Sequence, residues 1–163
     1  MRVRYVVGAM VVACGVSGAS QVFAEQGTAA APPARLVVLT VADPVGEKME
    51  YSRKQIVAKP GERLRVQVIS SSTLPKTAMA HNFVLLKAGS DPKKFSEAAA
   101  LAKDTEFIPP AMKSQVIAKT DLVGPGERAE VTFTVPKVPG TYPYLCTFAG
   151  HYAAGMWGDL VVK

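Results

Sequence analysis

The sequence predicts an all-β fold: a Greek-key β-sandwich with one short inserted surface helix. Three observations carry this reading. Apolar residues recur at a period of two through several short runs. Turn signals separate those runs, and the same Pro-Gly-Glu-Arg occurs at Pro60 and again at Pro125. One segment alone has helical spacing. Short strands with such punctuation suit two packed sheets.

The 163 residues suit one folded domain. The chain begins with Arg2 and Arg4, then an apolar run from Tyr5 to about Val16 that is too short for a stable membrane span. Val22-Phe23-Ala24 supplies the small residues that precede a processing site, so residues 1–24 are expected to be a signal peptide removed on export to the periplasm or beyond. A second reading stays open. Val11-Val12-Ala13-Cys14 resembles a lipobox, and a lipidated Cys14 would tether the protein to the outer face of a membrane. Residues 25–34, small, polar and Pro-rich, read as a disordered linker. The β-domain is expected over 35–163.

Arg35 to Ala42 is a strand candidate. In residues 55–70, Leu64, Val66 and Val68 alternate with Arg63, Arg65 and Gln67, the pattern of a half-buried strand. Residues 81–87 form another, with His81, Phe83 and Leu85 on one face. Asp91 is a plausible N-cap and Pro92 suits the first helical position. Phe95, Ala98, Ala99 and Ala102 follow at helical spacing. Val131, Phe133 and Val135 mark a further strand, and residues 141–146 and 158–163 close the series. The two Pro-Gly turns read as one local solution used twice, not as a solenoid repeat.

Removal of the leader, with two arginines and no acid, lowers the formal net charge from +6 to +4. The basic residues are scattered and lack an aromatic-lined cluster, which argues against nucleic-acid binding. Of two cysteines, Cys14 belongs to the leader or carries lipid. Cys146 is then alone, and no intramolecular disulfide forms in the mature chain. A lone thiol in an oxidising compartment is a liability unless buried or occupied.

Cys146, His151 and Met156 crowd into eleven positions, in a chain with only two histidines. His81 opens a different strand. A thiolate, two imidazoles and a weak thioether suit a copper electron-transfer site with three strong ligands and a long axial one. Gly150 and Gly155 permit tight bends beside two of the donors. Zinc also takes a thiolate and two imidazoles, but methionine suits it poorly. Taken singly, a Met is most often core filler and a buried Cys inert. It is the coincidence of all four that points to metal.

These residues, Cys146 to Met156 together with Met79 to Leu85, resemble the small blue copper proteins, or cupredoxins, and within them the azurin and auracyanin branch. The resemblance runs from about Arg35 to Lys163 and is densest from Ser114 onward. It implies His81, Cys146 and His151 as equatorial ligands of one type 1 copper ion and Met156 as the axial one. It implies that Asn82 pins the metal loop near Thr147, and that backbone N–H groups around Asn82 and Phe148 donate to the Cys146 sulfur. Some positions depart from azurins. Ala80 stands where they carry glycine, so a four-coordinate site is expected at least as readily as one with an added carbonyl. Phe83 replaces a common tryptophan. The His-to-Met gap has four residues, as in auracyanins and plastocyanins.

The family implies a one-electron carrier that docks transiently on protein redox partners, acts as a monomer and is not an enzyme. Its port would be the edge of His151, ringed by Met79, Phe148, Ala149 and Tyr152. Multicopper enzymes need more histidines than this chain has. Copper storage or delivery through the same four residues is the alternative.

Overall fold

Alternation drives the longest strand. Leu64, Val66 and Val68 are fully buried, while Arg65 points to solvent. The computed structural model describes residues 32–41 and 49–163; the leader and most of the linker expected from the sequence lie outside them. Among the described residues, eight strands form two sheets. They are β1 (Arg35–Val41), β2 (Gln55–Ala58), β3 (Arg63–Ser70), β4 (Val84–Leu86), β5 (Val116–Lys119), β6 (Arg128–Thr134), β7 (Gly140–Leu145) and β8 (Trp157–Val162). One sheet has the order β1-β3-β6, and the other β2-β8-β7-β4-β5. The β1–β3 and β2–β8 pairs are parallel; the rest are antiparallel. The core between them is built from Leu39, Leu64, Val66, Val68, Phe83, Leu85, Tyr144 and Leu160, among others.

The run 55–70 is two strands, not one. Lys59-Pro60-Gly61-Glu62 turns the chain between the sheets, with Gly61 at φ 74° and Glu62 N–H donating to the Lys59 carbonyl at 3.1 Å. That is a type II turn, which demands positive φ at its third residue. Gly124-Pro125-Gly126-Glu127 repeats it, with Gly126 at φ 68° and the equivalent 3.1 Å bond. In both, the glutamate carboxylate also accepts from the first residue's N–H, at 2.9 Å. The repeated tetrapeptide is one self-capped turn used twice.

The expected helix is α1, Pro92–Ala100. The Asp91 carboxylate accepts from the N–H groups of Lys93 and Lys94 at 3.0 and 3.1 Å, as an N-cap should. Phe95 and Ala99 are its buried face. With Phe107, Ile108 and Leu145 they cover Val84 and Leu86. This makes β4 buried on both faces, so it does not show the one-sided pattern expected for residues 81–87. His81 lies outside β4 proper, in an isolated bridge to Val123.

Candidate metal centre

Strand register brings the donors to one end of the sandwich. Val84 pairs with Leu145, and Leu145 with Trp157. Continuing past those pairs, the chain reaches His81, Cys146 and Met156 at the same rim. Between Cys146 and Met156 the loop is held by its own turns. His151 N–H donates to the Phe148 carbonyl at 3.1 Å, and Met156 N–H to the His151 carbonyl at 2.9 Å. Gly150 and Gly155 take positive φ, 86° and 109°, as the bends require.

The ligating atoms of His81, Cys146 and His151 all lie within 4.8 Å of one another. The Cys146 sulfur is 3.4 Å from His151 Nδ1, and the two imidazole centroids are 4.9 Å apart. One ion with bonds of about 2 Å spans such a set with small side-chain adjustment. His81, Cys146 and Met156 are fully buried, and His151 is only 4% exposed. The group contains no carboxylate, so its chemistry excludes the hard cations that need oxygen donors. A soft thiol between two imidazoles fits copper.

Burial sets the protonation of these donors. It pushes the Cys146 thiol up to about 12, against which the N–H groups of Asn82 and Phe148 donate to its sulfur. It also pulls His151 down to about 4, with His81 adding to the effect. The imidazole is therefore a neutral donor at ordinary pH, and a metal must displace the thiol proton as it binds. The Ala80 carbonyl also faces this pocket, 4.0 Å from the Cys146 sulfur.

Around the donors the chain is pinned as the resemblance implied. Asn82 Nδ2 donates to Thr147 Oγ1 at 2.8 Å, and Thr147 N–H donates to Asn82 Oδ1 at 2.9 Å. Phe148 packs on the His151 ring at 4.8 Å and on Phe107 at 4.9 Å. The surroundings expected for the His151 edge are mixed: Met79 is buried, Phe148 and Tyr152 are half-buried, and Ala149 is exposed. Phe83 is fully buried, the core anchor its position suggested.

Two contributors carried no sequence signal. Tyr51, also buried, donates its hydroxyl to the Asn82 carbonyl at 2.5 Å. Lys54 donates to the Gly155 carbonyl, ion-pairs with Glu50 at 3.1 Å and sits 5.2 Å over the Trp157 ring. Trp157, 41% exposed, is thus a surface partner of the loop exit.

A buried thiol–imidazole cluster at one end of a two-sheet sandwich defines a protein of the cupredoxin class. Residues 38–163 match the copper-binding proteins of the plastocyanin/azurin family, and the chain belongs to that family. It is 39% identical over 100 residues to auracyanin-B of Chloroflexus aurantiacus, which covers 61% of this chain but only 41% of that protein. It is 33% identical over 120 residues to azurin of Pseudomonas chlororaphis, covering 72% of this chain and 92% of the azurin. Dithionite-reduced auracyanin of Roseiflexus castenholzii superposes with a TM-score of 0.64 at 36% identity, over 77% of this chain and 96% of that one.

Proposed function

We propose that this chain is an exported one-electron carrier in which His81, Cys146, His151 and Met156 would together hold one copper ion. The observation that carries the reading is the dry convergence of a thiol and two imidazoles within 4.8 Å, with Met156 buried on the adjoining strand end. Copper bound there supplies one-electron Cu(II)/Cu(I) chemistry.

The protein's part is to hold the donors still. The Asn82–Thr147 hydrogen bonds lock the two donor-bearing segments together, so His81 and Cys146 keep their spacing in either oxidation state. N–H groups on the Cys146 sulfur draw charge from the thiolate. The apolar shell excludes water, and the half-buried Phe148 and Tyr152 leave a small apolar rim beside His151 for brief docking on protein redox partners. The leader supports export, either by cleavage after Ala24 or by lipidation at Cys14.

The test is repeated cycling with an inorganic one-electron reductant and oxidant, followed by metal analysis. A carrier exchanges electrons rapidly and keeps its copper. Slow exchange, with copper passed to an acceptor chelator at each reduction, would identify the delivery function instead.

A further inference from the structure

The antiparallel ladder between β4 and β5 stops at Val84, which pairs with Lys119. It resumes only at the isolated bridge between His81 and Val123, where the two residues exchange N–H···O bonds of 2.9 and 2.7 Å. Between those points one side supplies Asn82 and Phe83, and the other supplies Thr120, Asp121 and Leu122. Two residues against three cannot keep ladder register, so the Phe83 N–H loses its ladder acceptor on β5. The Asn82 carbonyl, on the opposite edge of the same buried peptide, lies beyond Val84–Leu145, the last β4–β7 pair. A buried amide left without partners is costly, and its replacements can be traced.

Both replacements are hydroxyls. Tyr51 donates to the Asn82 carbonyl at 2.5 Å. Thr120 Oγ1 accepts from the Phe83 N–H at 3.0 Å, while the Thr120 N–H donates to the Phe83 carbonyl at 2.9 Å. Tyr51 and Thr120 are each 2% exposed, so water does not compete. Tyr51 is itself fixed by ring packing on Tyr144, with centroids 5.6 Å apart. The peptide so held lies one residue beyond His81. Its first residue supplies the N–H on the Cys146 sulfur and the side chain that ties Thr147.

We propose that Tyr51, with Thr120, is a positioning residue of the metal centre: the two hydroxyls clamp the 82–83 peptide and thereby aim His81 and the Asn82 N–H at the site. The clamp rests on the copper-site reading for its functional consequence, but the clamp itself is a property of the metal-free protein. Tyr51→Phe keeps the ring and removes only the hydroxyl. Thr120→Val removes the second hydroxyl, and Thr120→Ser restores it.

The test has two arms. In the metal-free protein, amide hydrogen exchange at Phe83 and Thr147 should quicken about fivefold or more in Tyr51→Phe and in Thr120→Val, the effect of one lost hydrogen bond on local opening. Thr120→Ser should recover the slow exchange, and the β7–β8 ladder amides should not change. In the copper-loaded protein, both hydroxyl-deleting variants should have a lower reduction potential than wild type. A loosened N–H on the sulfur leaves more charge on the thiolate and favours Cu(II). Unchanged exchange, or a uniform rise that includes the β7–β8 ladder, would overturn the clamp. Altered exchange with an unchanged potential would overturn its role in the site. A wild-type protein that gives no coloured copper adduct would defeat the copper-site reading and with it that role, while the metal-free arm still decides the clamp.

Discussion

The backbone N–H of Cys146 donates to the carbonyl of Met156 at 3.0 Å. Two residues at opposite ends of the metal loop are therefore tied to each other across the edge of the β7–β8 pair. The donor spacing is set by sheet register, and anything that shifts β8 against β7 shifts the site.

Gly158 is where that register is most easily disturbed. A Cβ there would lie 2.4 Å from Tyr144 Oη and 2.5 Å from the Lys54 carbonyl. Tyr144 is held by donating to the Arg53 carbonyl at 2.6 Å, and Lys54 by accepting from the Asp159 N–H at 2.9 Å. Gly158→Ala should cost about 1–3 kcal/mol in urea unfolding, an overpacking penalty. Wild-type stability would show that β8 moves freely at this point.

The Asn82–Thr147 pair should behave as one unit. Both side chains are buried and share two hydrogen bonds. Asn82→Ala and Thr147→Val should each destabilise the protein by about 1–3 kcal/mol. The double variant should cost less than the two together, by roughly 0.5 kcal/mol or more. A double-mutant cycle on the metal-free protein measures this; strict additivity would contradict the pairing.

Acid should weaken the link between β1 and the first Pro-Gly turn. The Arg35 guanidinium hydrogen-bonds Glu62 at 2.5 Å and holds its carboxyl below the usual value of 4.5; the Lys59 N–H acts in the same direction. A lowered folded-state pKa means the contribution is fully present above the unfolded value of 4.5 and is lost as pH falls through the folded pKa. The pair is partly exposed, so its worth is about 0.5 kcal/mol or less. Wild type should be slightly more stable than Arg35→Ala at neutral pH, and the gap should close as pH falls below 4.5 and through the lowered Glu62 pKa. Thermal melts across that range check it.

Processing is read from mass. Cleavage after Ala24 gives a mature chain that begins at Glu25 and carries no lipid. A mature N-terminus at Cys14 with added acyl mass would establish the membrane-anchored form instead.

Much of this was legible in the chain because it is local. The Asp91 cap and Pro92 fixed the start of α1, and each Pro-Gly-Glu carries its own turn and its own carboxylate lock. The convergence of His81, Cys146 and His151 was legible because those residue types are scarce. What was not legible depends on partners distant in sequence. The alternation in residues 81–87 suggested one buried face, but α1 lies over the other. The break in pairing at Asn82 and Phe83 exists only once β5 and β7 are both aligned on β4, so nothing near Tyr51 marked its hydroxyl as a substitute for a ladder bond. Lys54 reaches Gly155 from about a hundred residues away in sequence.

The most direct measurement is the visible spectrum on addition of one equivalent of Cu(II) to the purified metal-free protein. An intense thiolate-to-copper absorption should appear, be lost in Cys146→Ser and be altered in Met156→Leu. A colourless copper adduct, or a coloured one that survives Cys146→Ser, would contradict it.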